Sequence, residues 1–543
     1  MHRLRVHKAK KQVITLKECL SMEDLKIKIL PIVLACLAVI MLGCSSGELN
    51  EKSVRSTNTS TDQNNVKVVS LGADLGVIKR MNTELSSNPP AAGGKNYYVC
   101  DTGDDENSGL SKDYPFLSYE KAISTFSSMP GGDSVLLCRG GKFPITTFKQ
   151  ISNASCSLTS KCTLGDYGDA NADRPLITAK NYATPLRFYG PGNKPMTGGY
   201  VIKNIGLLSE GKKGAGIFIY ERVSDLLLEN LHIDGFNIGM QIAGKVINNV
   251  TLKNSTIKNS ASQGILGACD DCLYEGNTLV SNGYGVFDHN IYLSSVGDVV
   301  ENMTVRGNTL YKSSIQDGKC NGVSLVAHGK FKNLTIESNF IKEDREAVKG
   351  ACYGISIDPG YAYEEYFKNV VIRGNILLNV GGNGIGCASC DGALIENNTI
   401  IDQGSVLVHG ISVPVRTEDA VKSANITIRE NYIYLTKNWN PTSGVRVNKQ
   451  DLSAVENNNI YLEDYPLGVC VRVEDEDINV GSVRNKCADN ASVSDTINGL
   501  VKEILSKGST PSAFMVSDLV KGRLETETET ETETETETET ETE

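Results

Sequence analysis

One short phrase recurs through most of this chain, and it constrains the fold more than any other feature. An apolar-x-apolar-x-x-Asn segment followed by a second short apolar run reads "LLLENLHI", "TLKNSTI", "LYEGNTLV", "MTVRGNTLY", "LTIESNFI", "VIRGNILL", "LIENNTI", "ITIRENYIY" and "AVENNNIY". The marker asparagines are Asn230, Asn254, Asn277, Asn308, Asn339, Asn375, Asn398, Asn431 and Asn458. Their intervals run from 23 to 36 residues, so the unit is constant while its loops vary. Strand-length apolar pieces returning at such a period cannot bury themselves singly; they stack as coils of a solenoid. An Asn at the same corner of successive coils can form a ladder of amide hydrogen bonds. The expected fold is all-β, a right-handed parallel β-helix with an N-terminal cap, over residues 96 to about 495. The high glycine count, 52 of 543 residues, suits a turn-rich β architecture.

A second row lies elsewhere on each coil, a small residue followed by alternating apolar positions. Its first residues are Gly216, Gly239, Gly264, Asn290, Gly322, Gly354, Gly384, Gly410, Gly444 and Gly468. The period of two in a strand turns the residue two places on toward solvent. This predicts an outward column of Phe218, Gln241, Leu266, Tyr292, Ser324, Ser356, Gly386, Ser412, Arg446 and Cys470. The residues before each row start give a neighbouring column that includes His289, Asn321, Tyr353 and His409. The two columns are unusually polar between coils 290 and 444. Loops 311–321, 341–353 and 358–368 flank them and can wall a groove, as loops on one face of a solenoid commonly do.

The ends of the chain read differently. Lys26 and Lys28 precede the apolar run "ILPIVLACLAVIMLG" (29–43) and then Cys44, with fewer apolar residues than a membrane span requires. This predicts a signal segment over 1–43. "MLGC" resembles a bacterial lipoprotein lipobox, which implies lipid on Cys44 and a lipid-anchored location in the bacterial cell envelope. Residues 44–95, rich in Ser, Thr and Asn, suit a tether. Residues 496–524 are expected to be a cap or helical segment, and 525–543 a disordered Glu-Thr tail. That tail holds ten of the acidic residues behind the net charge of −11, leaving a mildly acidic body unlike a nucleic-acid-binding polycation. A monomer is expected. Twelve cysteines beyond Cys44 pair as neighbours: Cys100–Cys138, Cys156–Cys162, Cys269–Cys272, Cys320–Cys352, Cys387–Cys390 and Cys470–Cys487. An even count in an exported chain favours disulfides over zinc or redox pairs.

Order should begin at "NYYVCDTGDDENSGLSKDYPFLSYEKAI" (96–123), followed by "PGGDSVLLCRGGKF" (130–143). This pairing resembles the opening segment of right-handed parallel β-helix proteins, including several polysaccharide lyase families, where a first strand and a short helix cover the end of the stack. The acidic loop 101–109 can be read as a calcium loop or as a turn. It lacks EF-hand spacing, which favours the turn.

The sharpest chemical constellation is "GYGVFDHNIYLSS" (283–295), with Asp288, His289 and Tyr292. Removing the proton α to a uronate carboxylate requires a base, a proton donor and a group that neutralises the carboxylate. His289 and Tyr292 can serve as base and donor; Arg306, Lys330, Arg373 and Arg446 are candidate neutralisers. "GYGVFDHN" is similar to the Asp-Pro-His-containing segment of alginate C5-epimerases, without its proline, and the resemblance places Asp288, His289 and Tyr284 in an active site. The bland alternative is that Asp288 caps a turn. Substrate contacts are expected from Asn321, Ser324, Tyr353, Ser356, Asp358, His409 and Arg446. Asp358, Glu364 and Glu365 can act as acids, bind calcium or simply solvate a loop, and His328 should neighbour Asp358. "VHGISV" and "SGVRVNK" look like the Gly-His-Gly and Arg-Ile-Lys segments of polygalacturonase-type glycoside hydrolases. The coil before His409, however, lacks the paired carboxylates hydrolysis needs. A non-catalytic surface adhesin or spacer is the third reading. The leading expectation is a lyase or C5-epimerase acting on an acidic polysaccharide.

Overall fold

The computed structural model describes residues 94–192, 196–361, 364–414, 421–436, 442–448, 452–463, 469–473 and 485–524. The expected signal segment, Cys44, all but the last two residues of the tether, and the Glu-Thr tail lie outside the described residues. Among the described residues between Asn96 and Asp489 the chain winds through three long parallel sheets of 13, 14 and 13 strands, each coil adding a strand to each sheet in turn, with two short extra strands, Tyr366–Lys368 and Cys390–Asp391, beside the second. This is the expected right-handed parallel β-helix. Aliphatic side chains from all three sheets, such as Leu252 and Val305 of the first, Ile265 and Ile291 of the second, and Ile257 and Leu310 of the third, fill its interior. In such a core each coil buries its apolar residues only against its neighbours. A helix at Tyr119–Phe126, capped by Ser118, packs Tyr119, Ala122, Ile123 and Phe126 into the same core.

The asparagine ladder is present, one register away from part of the expectation. Asn277, Asn308, Asn339, Asn375, Asn398, Asn431, Asn458 and Asn485 stack, each Nδ2 donating to the Oδ1 of the next at 2.8–3.0 Å. The same Oδ1 accepts the backbone N–H of the preceding Asn, and each Nδ2 also donates to a carbonyl one coil back, for example Asn375 to Ile336. No amide on this edge lacks a partner, as burial demands. Asn230 and Asn254 stand one residue earlier, in left-handed conformations with φ of 51°. Leu231 and Ser255 occupy the ladder position in their coils. Asn tolerates the left-handed region unusually well, so the same letter marks two adjacent jobs.

The second row is also correct in most coils and slipped by two residues at two of them. Ser324 and Cys470, rather than Gly322 and Gly468, share the corner with Gly354 and Gly444: Leu325 pairs with Ile355, and Val445 with Val471. The outward column therefore reads Gln150, Arg187, Phe218, Gln241, Leu266, Tyr292, Val326, Ser356, Gly386, Ser412, Arg446 and Arg472. Ser324 points inward and is buried, Cys470 is buried, and Asn321 lies in the flanking loop, where its Nδ2 donates to Gln316. All six expected disulfides form. Residues 494–506 and 513–524 are helical and lie against the outer side of the third sheet, burying Val501, Ile504 and Val516 on Phe340, Ile376, Tyr434 and Tyr461.

Candidate active site

The outward face of the second sheet brings imidazole, phenol and hydroxyl groups together on three successive coils, whose strands are Ile291–Glu301, Leu325–Lys332 and Ile355–Ile357. Register sets Ser294 beside His328, and Asp358 follows in the next coil, its N–H donating to Ala327. The Tyr292 and Tyr361 hydroxyls lie 2.9 Å apart, and the Ser294 hydroxyl is 2.6 Å from that of Tyr361. The Tyr292 ring stands edge-on to His289 on one side and to His328 on the other, both at 5.4 Å. His328 in turn meets Tyr361 at 5.8 Å. Four rings and one hydroxyl thus form a continuous polar-aromatic strip.

The histidines are held in defined orientations. His289 Nδ1 donates to the Val323 carbonyl at 3.0 Å; a carbonyl only accepts, so Nδ1 bears the hydrogen and Nε2 is the ring's acceptor. Burial pushes the His289 pKa down to about 4, so the ring is neutral near pH 7. His328 Nδ1 donates to the Asp358 carbonyl at 2.5 Å, and the Asp358 carboxylate lies 3.8 Å from the same nitrogen. The neighbour relation expected for this pair is therefore present. The loop can cross the imidazole because residue 360 is glycine: a Cβ there would stand 2.6 Å from His328 Nδ1.

The acidic residues divide by role. Asp288 Oδ2 accepts the N–H groups of Tyr284 and Gly285 at 3.0 and 2.7 Å, and Oδ1 accepts Ser262 Oγ. Asp288 is thus a turn cap. Gln263 holds the same turn through the Phe287 carbonyl at 2.9 Å, and the turn presents Tyr284 and Phe287 to solvent, Phe287 at 82% exposure. Glu365 is buried. It accepts Gly329 N–H at 2.6 Å, Gly360 N–H at 2.9 Å and the Tyr361 N–H, fixing the loop that carries Tyr361. Asp358 accepts Ser356 Oγ at 3.1 Å and keeps part of its carboxylate exposed. In the 101–109 loop, Asp104 and Asp105 accept backbone N–H groups of the turn and of the following helix start, which gives it the turn reading. Among the described residues, both groups with metal-ligand proximity count disulfide-bonded cysteines, whose sulfurs are not available to an ion.

Other sequence candidates fall away from the cluster. Arg306 and Arg373 belong to the first sheet, where they pair with Glu275 and Glu337. Lys330 alone of the four candidate cations shares a strand with the cluster, two residues past His328. Tyr353 is half-buried in the His289 column, and its ring covers Gly382. His409 and Arg446 lie on the same face, but His409 is four coils beyond His289, about 19 Å at strand spacing. Burial and Arg446 lower the His409 pKa to about 4. Tyr361 was not singled out by sequence reasoning; its signal was the Gly360–Glu365 bracket around it, which closes a tight loop over His328.

No family model matches the sequence. Part of the chain is similar to the lacto-N-biosidase of Bifidobacterium longum subsp. longum, 25% identical over 330 residues that take in 56% of this chain. Those residues are 19% of that protein, so the chain spans about a fifth of the length of this curated relative. Among solved structures, the GH136 lacto-N-biosidase from Eubacterium ramulus superposes with a TM-score of 0.40 and 15% identity, covering 76% of this chain and 69% of that one. The A-module of the Azotobacter vinelandii mannuronan C-5 epimerase gives a TM-score of 0.38 and 13% identity, covering 67% of this chain and 90% of that one.

Proposed function

We propose that this β-helix is a carbohydrate-active enzyme that works on an acidic polysaccharide by abstracting the C5 proton of a uronate, as a lyase or epimerase. The observation that carries the reading is the Tyr292–Tyr361–Ser294 hydroxyl chain, flanked by His289 and His328 on the outward face of the second sheet. A hydroxyl chain of this kind moves a proton without moving a residue. In the proposed reaction the C5 proton passes to a base at Tyr292 or His328, and the electron pair moves into the carboxylate as an enediolate. Expulsion of the C4 substituent with a proton returned from the hydroxyl chain completes a lyase reaction. Reprotonation of C5 from the opposite face completes an epimerisation. Lys330 is the candidate to neutralise the carboxylate. Arg187, Arg446 and Arg472 in the same outward column favour an anionic polymer.

Similarity to a lacto-N-biosidase favours a second reading, a glycoside hydrolase. That chemistry needs two carboxylates straddling the scissile bond. Asp288 and Glu365 are engaged by backbone N–H groups, which leaves Asp358 as the better-placed acid and ranks hydrolysis second. Purified protein assayed on alginate, pectate, glycosaminoglycans and a lacto-N-bioside substrate separates the outcomes. Ultraviolet absorbance of an unsaturated uronate marks a lyase, and C5 proton exchange without cleavage marks an epimerase. New reducing ends without that absorbance mark a hydrolase and overturn the favoured reading. Binding without turnover of any polymer would support the adhesin reading. Six disulfides support an exported protein. Anchoring through Cys44 predicts palmitate labelling that is lost in Cys44→Ala.

A further inference from the structure

The same outward face carries a second cluster nearer the N-terminal end of the stack. Arg187 and Phe218 are consecutive in the outward column that leads to Tyr292, and Tyr189 and Tyr220 are consecutive in the column beside it. The Arg187 guanidinium carbon sits 4.0 Å from the centre of the Phe148 ring and 5.4 Å from that of Phe218. Phe218 stacks on Tyr220 at 5.7 Å and 13°, and Tyr220 on Tyr189 at 5.7 Å and 19°. Five planar groups therefore follow one another across the sheet surface: Phe148, Arg187, Phe218, Tyr220 and Tyr189. None is fully buried, and Phe148 is 46% exposed.

Packing of the core does not account for this arrangement, because the interior of these coils is already filled by Leu186, Phe188, Ile217 and Ile219. A guanidinium with aromatic rings against it is left with its N–H edge for hydrogen bonding. Arg187 Nε is buried without a hydrogen-bond partner and so out of a ligand's reach, which leaves the two terminal amino groups as the donors a ligand can meet, and among the described residues Arg187 forms no ion pair. An unmatched donor edge beside ring surfaces matches one ligand chemistry well. The C–H face of a pyranose packs on an aromatic ring, while an anionic substituent of the sugar accepts from the guanidinium.

We infer that Phe148, Arg187, Tyr189, Phe218 and Tyr220 form a second, non-catalytic subsite that grips an anionic sugar of a glycan lying along the coil axis. The inference rests on the polysaccharide reading above. Phe218 is three coils from Tyr292 and Arg187 four, a reach of about 14 to 19 Å. Gln241, Ala243 and Leu266 line the way without a bulky barrier. The subsite thus selects for length and charge: a short oligomer seated at Tyr292 does not reach it, and a longer one does.

Calorimetric titration of the folded chain with size-graded oligomers of alginate, pectate and a sulfated glycosaminoglycan, each beside its uncharged derivative, tests this. For long acidic oligomers, Arg187→Gln should weaken binding by about tenfold or more and flatten its salt dependence. Arg187→Lys should fall between, and Phe218→Ala should weaken charged and uncharged long oligomers alike. Short oligomers should not distinguish the variants from wild type. Preference for the carboxylated or the sulfated series identifies the anion. Unchanged long-oligomer affinity in both Arg187→Gln and Phe218→Ala overturns the subsite. If it occurs while wild type turns over an acidic polymer, the proposed reaction stands and only the subsite falls. Arg187-dependent binding without any turnover leaves the subsite standing and removes the reaction. No binding of any acidic glycan by wild type overturns both.

Discussion

Two stripes run the length of the same coils and follow opposite rules. The inner stripe repeats one residue from Asn277 to Asn485, and every amide in it is satisfied by its neighbours. The outer stripe on the second sheet changes at almost every coil, from Arg187 through Phe218, Leu266, Tyr292 and Val326 to Arg446. Uniformity marks what every coil must do to stack; variation marks what only some coils do. The chemistry proposed for this protein lies where the repeat is broken.

That contrast makes the outer stripe sensitive in activity and the inner one in stability. The largest effect is expected at Tyr292. Tyr292→Phe should lower turnover by about 10²–10⁴-fold, roughly 3–5 kcal/mol of barrier, while the unfolding midpoint barely moves. Loss of both together would place Tyr292 in the scaffold. Asn375→Ala should do the reverse. It strips the acceptor from Asn339 N–H and Nδ2, so it should cost about 3 kcal/mol in denaturant stability and leave activity per folded molecule intact. An unchanged midpoint would show the ladder to be incidental.

Acidification tests the stripes through their buried imidazoles. His289 and His409 have native pKa values near 4, below the ordinary 6.5, so the unfolded chain binds more protons between those values. Stability contributed by the neutral rings is therefore full above about 6.5 and falls as pH drops toward 4. Going from pH 7 to 5 should cost about 2 kcal/mol per histidine, and His409→Gln should remove about half of this pair's share of that slope. A slope identical in wild type and variant would mean that His409 titrates normally. The smallest effect is expected at Glu365, which touches no reacting group in the proposed reaction and acts by positioning Tyr361. Glu365→Gln keeps one acceptor oxygen and presents an amide N–H₂ where another N–H was received. It should lower kcat about tenfold with KM little changed, and its crystal structure should show Tyr361 displaced from Tyr292. A tenfold loss with Tyr361 in place would point to a direct role for the carboxylate.

The fold was legible in the sequence because the coil repeat is written in apolar spacing and asparagine, and the disulfides because their partners are close in the chain. The errors have physical causes. Asn230 and Asn254 were misplaced because asparagine suits both the buried ladder and the left-handed corner before it. Ser324 was turned outward because the hairpin strands Ile315–Gln316 and Lys319–Cys320 lengthen the loop before it. A slip of two keeps the alternation of a strand, so the pattern gave no warning; a slip of one would have reversed every side chain. At the site, the His328–Asp358 neighbourhood was readable from matched offsets along consecutive coils. Tyr361 was not, since its position depends on a folded loop and the buried Glu365. The dual engagement of the Asp288 carboxylate was likewise invisible, because a turn cap and a catalytic acid share one letter.

The helices along the third sheet alter how such a stack can come apart. In a bare solenoid each coil holds only its neighbours, and unfolding can peel from either end one coil at a time. Here Pro511 accepts from Thr309 Oγ1 across 202 positions of sequence, Asn490 donates to Leu435, and Gln403 donates to Asn498. The helical pair thus splints coils that do not touch one another, from Thr309 to Tyr461. Fraying at the C-terminal end must first lift the splint, which releases several coils together. The segment thereby converts the half of the stack that bears the hydroxyl chain from a zipper into a single cooperative block.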